Sequence, residues 1–266
     1  MALKQVSSVD HPAAPSNRPS KRLAAENHFE KLWLADPEQF NPERTALSRD
    51  YFHKVKGCFD SKISGKKCVD LGSGYGALSK ALAALGADVT AVDIAPSALK
   101  KLEGLKTEQH FFPYSSLPDE AYDYVIAENL IAEVPEAEYR LFFSELARIV
   151  KPDGYILLST PLDINSEDAL HRLIYLAETE IALDSLTLSY HRIFLGTLNL
   201  FKKTPLIGWL ENQDWLLHAA EKLTKFFYDQ EGVSYAILIG KRRPLFEPIP
   251  ENEQPIESKG KKTIWE

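Results

Sequence analysis

The stretch CVDLGSGYGALSKALAALGADVTAVD, residues 68–93, constrains the fold of this chain more than any other segment. An apolar run ends in a glycine loop. Leu78, Leu82 and Leu85 then repeat at helical spacing, and Gly86 is placed to end that helix. A second apolar run closes on Asp93. Two strands joined through one helix make a βαβ unit, and such a unit requires a parallel sheet. Glycines let the backbone turn sharply and approach a ligand closely. The helix that follows aims its free N–H groups at anionic ligand atoms. An acid ending the second strand can accept hydrogen bonds from ribose hydroxyls.

The alternation continues downstream. APSALKKLEG reads as a short helix with Pro96 in its first turn, EQHFFP as a third strand and YDYVIA as a fourth. EAEYRLFFSELARIV is a helix facing Phe142, Leu146 and Ile149 inward, and KPDG turns the chain into the strand YILLST. The pattern predicts an α/β fold, a doubly wound and mostly parallel Rossmann-like sheet. After Pro161 the periodicity becomes helical, through SEDALHRLIYLAETEI, SYHRIFLGTLNLFKK and NQDWLLHAAEKLTKFFYDQ, until GVSYAILIG returns as a last strand. The expected division is a disordered tail over 1–25 and N-terminal helices over 26–62. A core then spans 63–162 and 232–243. A helical substrate lid over 163–231 is inserted before the last strand, and a tail covers 244–266.

Composition narrows the function classes. The 266 residues are 44% hydrophobic and carry a formal net charge of -7. An acidic surface repels phosphate backbones, so nucleic acid is not expected as a partner. The two cysteines, Cys58 and Cys68, form no CxxC pair and no cluster with histidines, so no metal site is expected. No apolar run reaches the ~20 residues of a membrane span. The N-terminal segment lacks the apolar core of a secretory signal, and a cytoplasmic location is expected.

The loop GSGYGA fits two templates. Gly72, Gly74 and Ala77 match the dinucleotide fingerprint G-x-G-x-x-A, while Gly72, Gly74 and Gly76 match the G-x-G-x-G of folds that bind S-adenosylmethionine (SAM). The loop alone does not choose between them. Asp70, two residues ahead of the first glycine, tilts the choice, because a carboxylate there repels a pyrophosphate. SAM has no phosphate and carries an ammonium and a sulfonium.

VDLGSGYG, AVD, YDYVIAENLIAEV and RIVKPDGYILLSTP, in this order and spacing, resemble the motifs of class I SAM-dependent methyltransferases. The resemblance is nearest to the ubiquinone-biosynthesis O-methyltransferase family, whose Trp-Asp segment and Asn-Pro-x-Arg run are similar to KLWLADPEQFNPERTALSRDYF. It covers about residues 28–161 and implies a seven-stranded methyltransferase sheet. By this resemblance Asp70, Gly72, Ser73, Gly74 and Tyr75 surround the methionine moiety, Asp93 holds the ribose, and Ile94 packs on the adenine. The family's acid after the third strand is missing from FFPYSSLP, where Pro113 and Tyr114 stand. Adenine recognition is then expected from Ser115 or from backbone groups around Tyr114. Glu128, Asn129 and Leu130 fall at the carboxyl edge of the sheet, where ligands of open α/β folds bind. In IAEVPE, Glu133 stands where the family often has a histidine. A glutamate there can take a proton or bind a cation; an ordinary acid at the start of a helix accounts for it equally well.

Methyl transfer from SAM is a displacement in which positioning does much of the work, so no invariant catalytic group marks the acceptor. AENL is not the Asn/Asp-Pro-Pro-aromatic motif of amine-modifying enzymes, and neither cysteine follows the fourth strand as cytosine-C5 chemistry requires. A small aromatic or hydrophobic acceptor, methylated on oxygen, is the favoured expectation. Tyr190 and His191, on an apolar helix, are candidates for substrate contact or base, although packing or a homodimer interface explains such a face as readily. Lys202 and Lys203 beside it suit peripheral contact with a membrane. Trp33 either covers the cofactor cleft or packs a core. The competing readings are a non-catalytic SAM-binding protein and an NAD(P)-dependent oxidoreductase.

Overall fold

A computed structural model of the chain describes residues 18–38, 41–162, 168–228 and 233–244. The tails expected over 1–17 and 245–266 lie outside the described residues. Two helices come first, α1 (Arg18–Ala35) and α2 (Ala46–Lys56). Helix α1 begins within the segment expected to be a disordered tail. Thr45 caps α2 reciprocally with Ser48, fixing where that helix starts.

The sheet then assembles from β1 (Lys67–Leu71), β2 (Asp88–Asp93), β3 (Lys106–Gln109), β4 (Tyr122–Glu128) and β5 (Val150–Pro161), with β6 (Ile181–Tyr190) and β7 (Val233–Arg242) completing it. Strand order is β3-β2-β1-β4-β5-β7-β6. Strands β1 to β5 run parallel, and β7 lies antiparallel between β5 and β6. Connectivity reverses between β1 and β4. Their carboxyl ends therefore open into the crevice where ligands of such sheets bind.

Both faces of the sheet are covered. On one face α5 (Tyr139–Ile149) buries Phe142, Phe143 and Leu146 completely, with Phe112 edge-on to Phe142 at 5.2 Å between centroids. Each such side chain contributes about 1.5–3 kcal/mol through removal of apolar surface from water. On the other face α3 (Ala77–Ala84) inserts Leu78 and Leu82 against Val55 of α2, Ile126 and Tyr235.

The segment 163–231 departs from the expected helical lid. It holds α6 (Ala169–Ala177), α7 (Arg192–Phe201), α8 (Ile207–Leu210) and α9 (Asp214–Phe227), but β6 lies among them as an edge strand. The alternation Leu186, Leu188, Tyr190 is a strand pattern, and these side chains pack on the core. A register shift between Leu183 and Ser185 interrupts its period and hides it in the sequence. Helices α7 and α9 close a separate small core on α2, through Ala46, Phe194, Leu217 and Ala220.

Candidate active site

At the switch between β1 and β4 lies a cavity of about 460 Å³, within the usual range for small-molecule sites. Its floor is the glycine loop after β1. Gly72, Gly74 and Gly76 all adopt positive φ, at 71°, 51° and 71°. A β-carbon on Gly74 would stand 2.7 Å from the Trp33 ring. The close approach of α1 to the loop therefore demands glycine there. Tyr75 completes this contact: its ring lies 4.2 Å from that of Trp33, and its hydroxyl donates to the Trp33 carbonyl at 3.1 Å.

Five carboxyls line the cavity, and three of them, Asp70, Asp93 and Glu128, are positioned by the end of a strand. Asp70, near the end of β1, is almost fully buried and accepts from the Ser79 hydroxyl on α3. Burial, with Asp93 close by, pushes its carboxyl up to about 6. Asp93 ends β2 and accepts from the backbone N–H of Gly74 at 2.9 Å and of Ala95 at 2.8 Å. These bonds orient both oxygens; burial still raises the carboxyl above its ordinary range. Glu128 ends β4, and burial together with the Asp70 charge drives it up to about 8. Asn129 follows at φ 59°, turning the chain off the sheet while its N–H donates to the Ser159 carbonyl at 2.8 Å. That turn carries Leu130 and Glu133 along the cavity rim.

Of the residues expected from sequence, Asp70, Gly72, Ser73, Gly74, Tyr75, Asp93, Ile94, Glu128, Asn129, Leu130 and Glu133 come together around this cavity. Tyr114, Ser115, Tyr190 and His191 do not line it. The Ser115 hydroxyl is committed to the Glu145 carboxylate. Tyr114 packs against Phe111 with centroids 5.5 Å apart. His191 is fully buried between elements: Nδ1 meets the Ser234 hydroxyl at 3.1 Å, and Nε2 lies 3.4 Å from Asp50 of α2. Tyr190 has the Lys225 ammonium over its ring at 5.3 Å. None of the described residues of 163–231 lines the cavity.

The missing cover comes from the N-terminus. Phe29, Trp33, Glu38, Asn41 and Phe52 line one wall, and His110, Phe111 and Phe112 line another. Phe29 and Trp33 are four residues apart on α1 and so share a helix face, a signal present in the sequence. His110 to Phe112 directly follow β3 at the carboxyl edge, the general position of ligand contacts in this architecture.

These residues fit SAM. The basic side chains lining the cavity bond to the protein: Lys80 donates to the Tyr75 carbonyl at 3.2 Å, and His110 meets the Glu108 carboxylate at 3.0 Å. Buried Asp70 and Asp93, with half-buried Glu128, face a cationic ligand well and a pyrophosphate poorly. Among the described residues no group of three or more potential metal ligands occurs. None of the helices described is long and apolar enough to cross a membrane.

A family model of the methyltransferase domain matches residues 43–219. Among curated proteins, the ubiquinone biosynthesis O-methyltransferase of Bordetella avium is 32% identical over 52% of this chain and 60% of its own length. The mitochondrial ubiquinone biosynthesis O-methyltransferase of Schizosaccharomyces pombe is 32% identical over 67% of this chain and 63% of its own. The chain spans 44–64% of the length of the curated relatives it matches. A solved protein of Pyrococcus horikoshii OT3 shares the fold at TM-score 0.56 and 13% identity, covering 81% of this chain and 100% of that one. With its strand order, its glycine loop and its acid-lined cavity, the chain belongs to the methyltransferase-domain family, in the class I fold whose methyl donor is SAM.

Proposed function

We propose that this protein transfers the methyl group of SAM to a small aromatic or hydrophobic acceptor, with oxygen the favoured atom. The observation that carries this reading is the pairing of the acids Asp70, Asp93 and Glu128 with an aromatic wall in one cavity. When bound, SAM supplies a methyl group already activated on a sulfonium. Asp70 and the backbone of 72–75 would hold its methionine end, Asp93 the ribose, and Ile94 with His110 to Phe112 the adenine. The remaining wall of Phe29, Phe52, Leu130 and Val134 is apolar and suits a flat, uncharged acceptor. The names of the ubiquinone-biosynthesis relatives support an oxygen acceptor. The main work of the chain is then orientation and exclusion of water, which can supply roughly 7–11 kcal/mol of barrier reduction.

The acceptor is a small molecule in this reading, free or presented at a lipid surface. Helices α7 to α9 expose Leu200, Trp209, Trp215 and Phe226, with Lys202, Lys203 and Lys222 also exposed. Aromatic groups beside lysines suit an anionic membrane face on an otherwise acidic protein. Calorimetry with SAM and S-adenosylhomocysteine, followed by labelled methyl transfer to a panel of phenols and catechols, tests the function. Failure of folded protein to bind either nucleoside removes it. Titration with NADH should show no binding.

A further inference from the structure

We infer that Glu128 receives the acceptor's proton during methyl transfer, its carboxylate being formed when the cationic donor binds and quenched as the neutral product is made; this rests on the methyltransferase reading above. Three observations lead here. Glu128 ends β4 at the crevice and lines the cavity with Asp70. Unlike Asp70 and Asp93, it has no hydrogen-bond donor among the described residues. Glu38 and Glu133, the remaining carboxyls lining the cavity, are exposed.

The groups acting on Glu128 all favour its protonated form in the free protein. Asp70 faces it from β1 with a like charge. Tyr235 faces it from β7, and burial holds that phenol neutral. Burial and Asp70 are what act on Glu128, and the basic side chains lining the cavity bond elsewhere: Lys80 to the Tyr75 carbonyl and His110 to Glu108. Glu128 therefore titrates near 8, and at neutral pH the empty site carries a carboxylic acid. A unit positive charge within roughly 6 Å lowers such a titration by about 2 pH units at an effective dielectric of ~20. A sulfonium donor thus ionises the acid, whereas the thioether product does not.

The chemistry balances. The acceptor's O–H bond breaks and its proton passes to a Glu128 carboxylate oxygen. The oxygen lone pair forms the new O–C bond, and the C–S bond breaks with its electron pair on sulfur. One positive and one negative charge disappear together, so no unpaired charge is left in a site where burial makes it costly.

The test is calorimetric and uses the full chain. SAM and S-adenosylhomocysteine are each titrated at pH 7 in phosphate and in Tris, and the difference between buffers counts the protons released. The two ligands differ at the sulfonium, so wild type should release close to one more proton with SAM. Glu128→Gln should erase that difference, and Glu133→Gln should keep it. Equal proton counts for the two ligands in wild type overturn the inference alone and need no variant to fold. A difference that survives in Glu128→Gln also overturns it. If folded wild type binds neither ligand, the methyltransferase reading falls and this inference falls with it.

Discussion

Trp33 of α1 lies directly on Gly74 of the glycine loop, so close that a β-carbon at Gly74 would meet the ring at 2.7 Å. The contact joins the N-terminal helix to the ligand-binding turn. Gly74→Ala must both adopt a φ of 51° and displace the indole. It should weaken SAM binding at least tenfold in calorimetry. In a Trp33→Ala background the same substitution should cost less, because the clash is gone. Strict additivity of the two would refute a direct contact.

Asp93 organises the loop as well as facing the cavity. Asp93→Ala leaves the Gly74 and Ala95 N–H groups without acceptors, at a cost of about 1–3 kcal/mol for each that stays buried. Melting temperature and SAM affinity should fall together. Unchanged affinity would remove Asp93 from the ribose site.

Asp70 and Glu128 titrate near 6 and near 8, above their ordinary carboxyl values. The unfolded chain gives up these protons from about pH 4, whereas the folded chain retains them. The native state therefore binds more protons between about pH 4 and 8, and stability falls as pH rises through that window. Scanning calorimetry of the ligand-free protein should show a drop of several degrees between pH 6 and 8. Glu128→Gln should flatten the upper part of that drop. A variant curve that tracks wild type would contradict the assigned titration.

His191 joins β6 and α7 to α2 by facing Asp50 and Ser234. Asp50 is held below its ordinary range: burial opposes this, and His191 and Lys54 outweigh it. His191→Ala should cost about 1–3 kcal/mol in denaturant unfolding, as expected for losing a buried hydrogen bond while Lys54 still pairs with Asp50. SAM affinity, measured below the new transition, should stay within about threefold. A selective loss of turnover at unchanged stability would instead restore His191 as a catalytic candidate.

Trp215 and Phe226 stand 63% and 80% exposed on α9, about three turns apart on one helix face. Replacing both with serine should reduce retention on anionic vesicles severalfold and leave melting unchanged. Equal retention would remove the lipid surface from the proposed function.

The glycine loop, the acids that follow strands and the alternation of β and α were legible because each rests on local rules. Positive φ selects glycine, and burial selects apolar residues at a period of 2 or 3.6. Every site residue expected between 70 and 94, and between 128 and 133, accordingly meets at one cavity. After β3 it is His110 to Phe112, rather than Tyr114 and Ser115, that line the cavity. Strand β6 was hidden by its register shift, which breaks the alternation that identifies a strand. The sequence by itself determined the βαβ turn and the donor it can hold. Only the tertiary structure decided what covers that turn. Helix α1 and the α7–α9 group both have apolar faces, and nothing local distinguishes a face that seals a cavity from one that packs on a neighbouring helix. Packing decided it: α9 found its complement in α2, and α1 found its own in the glycine loop and α4.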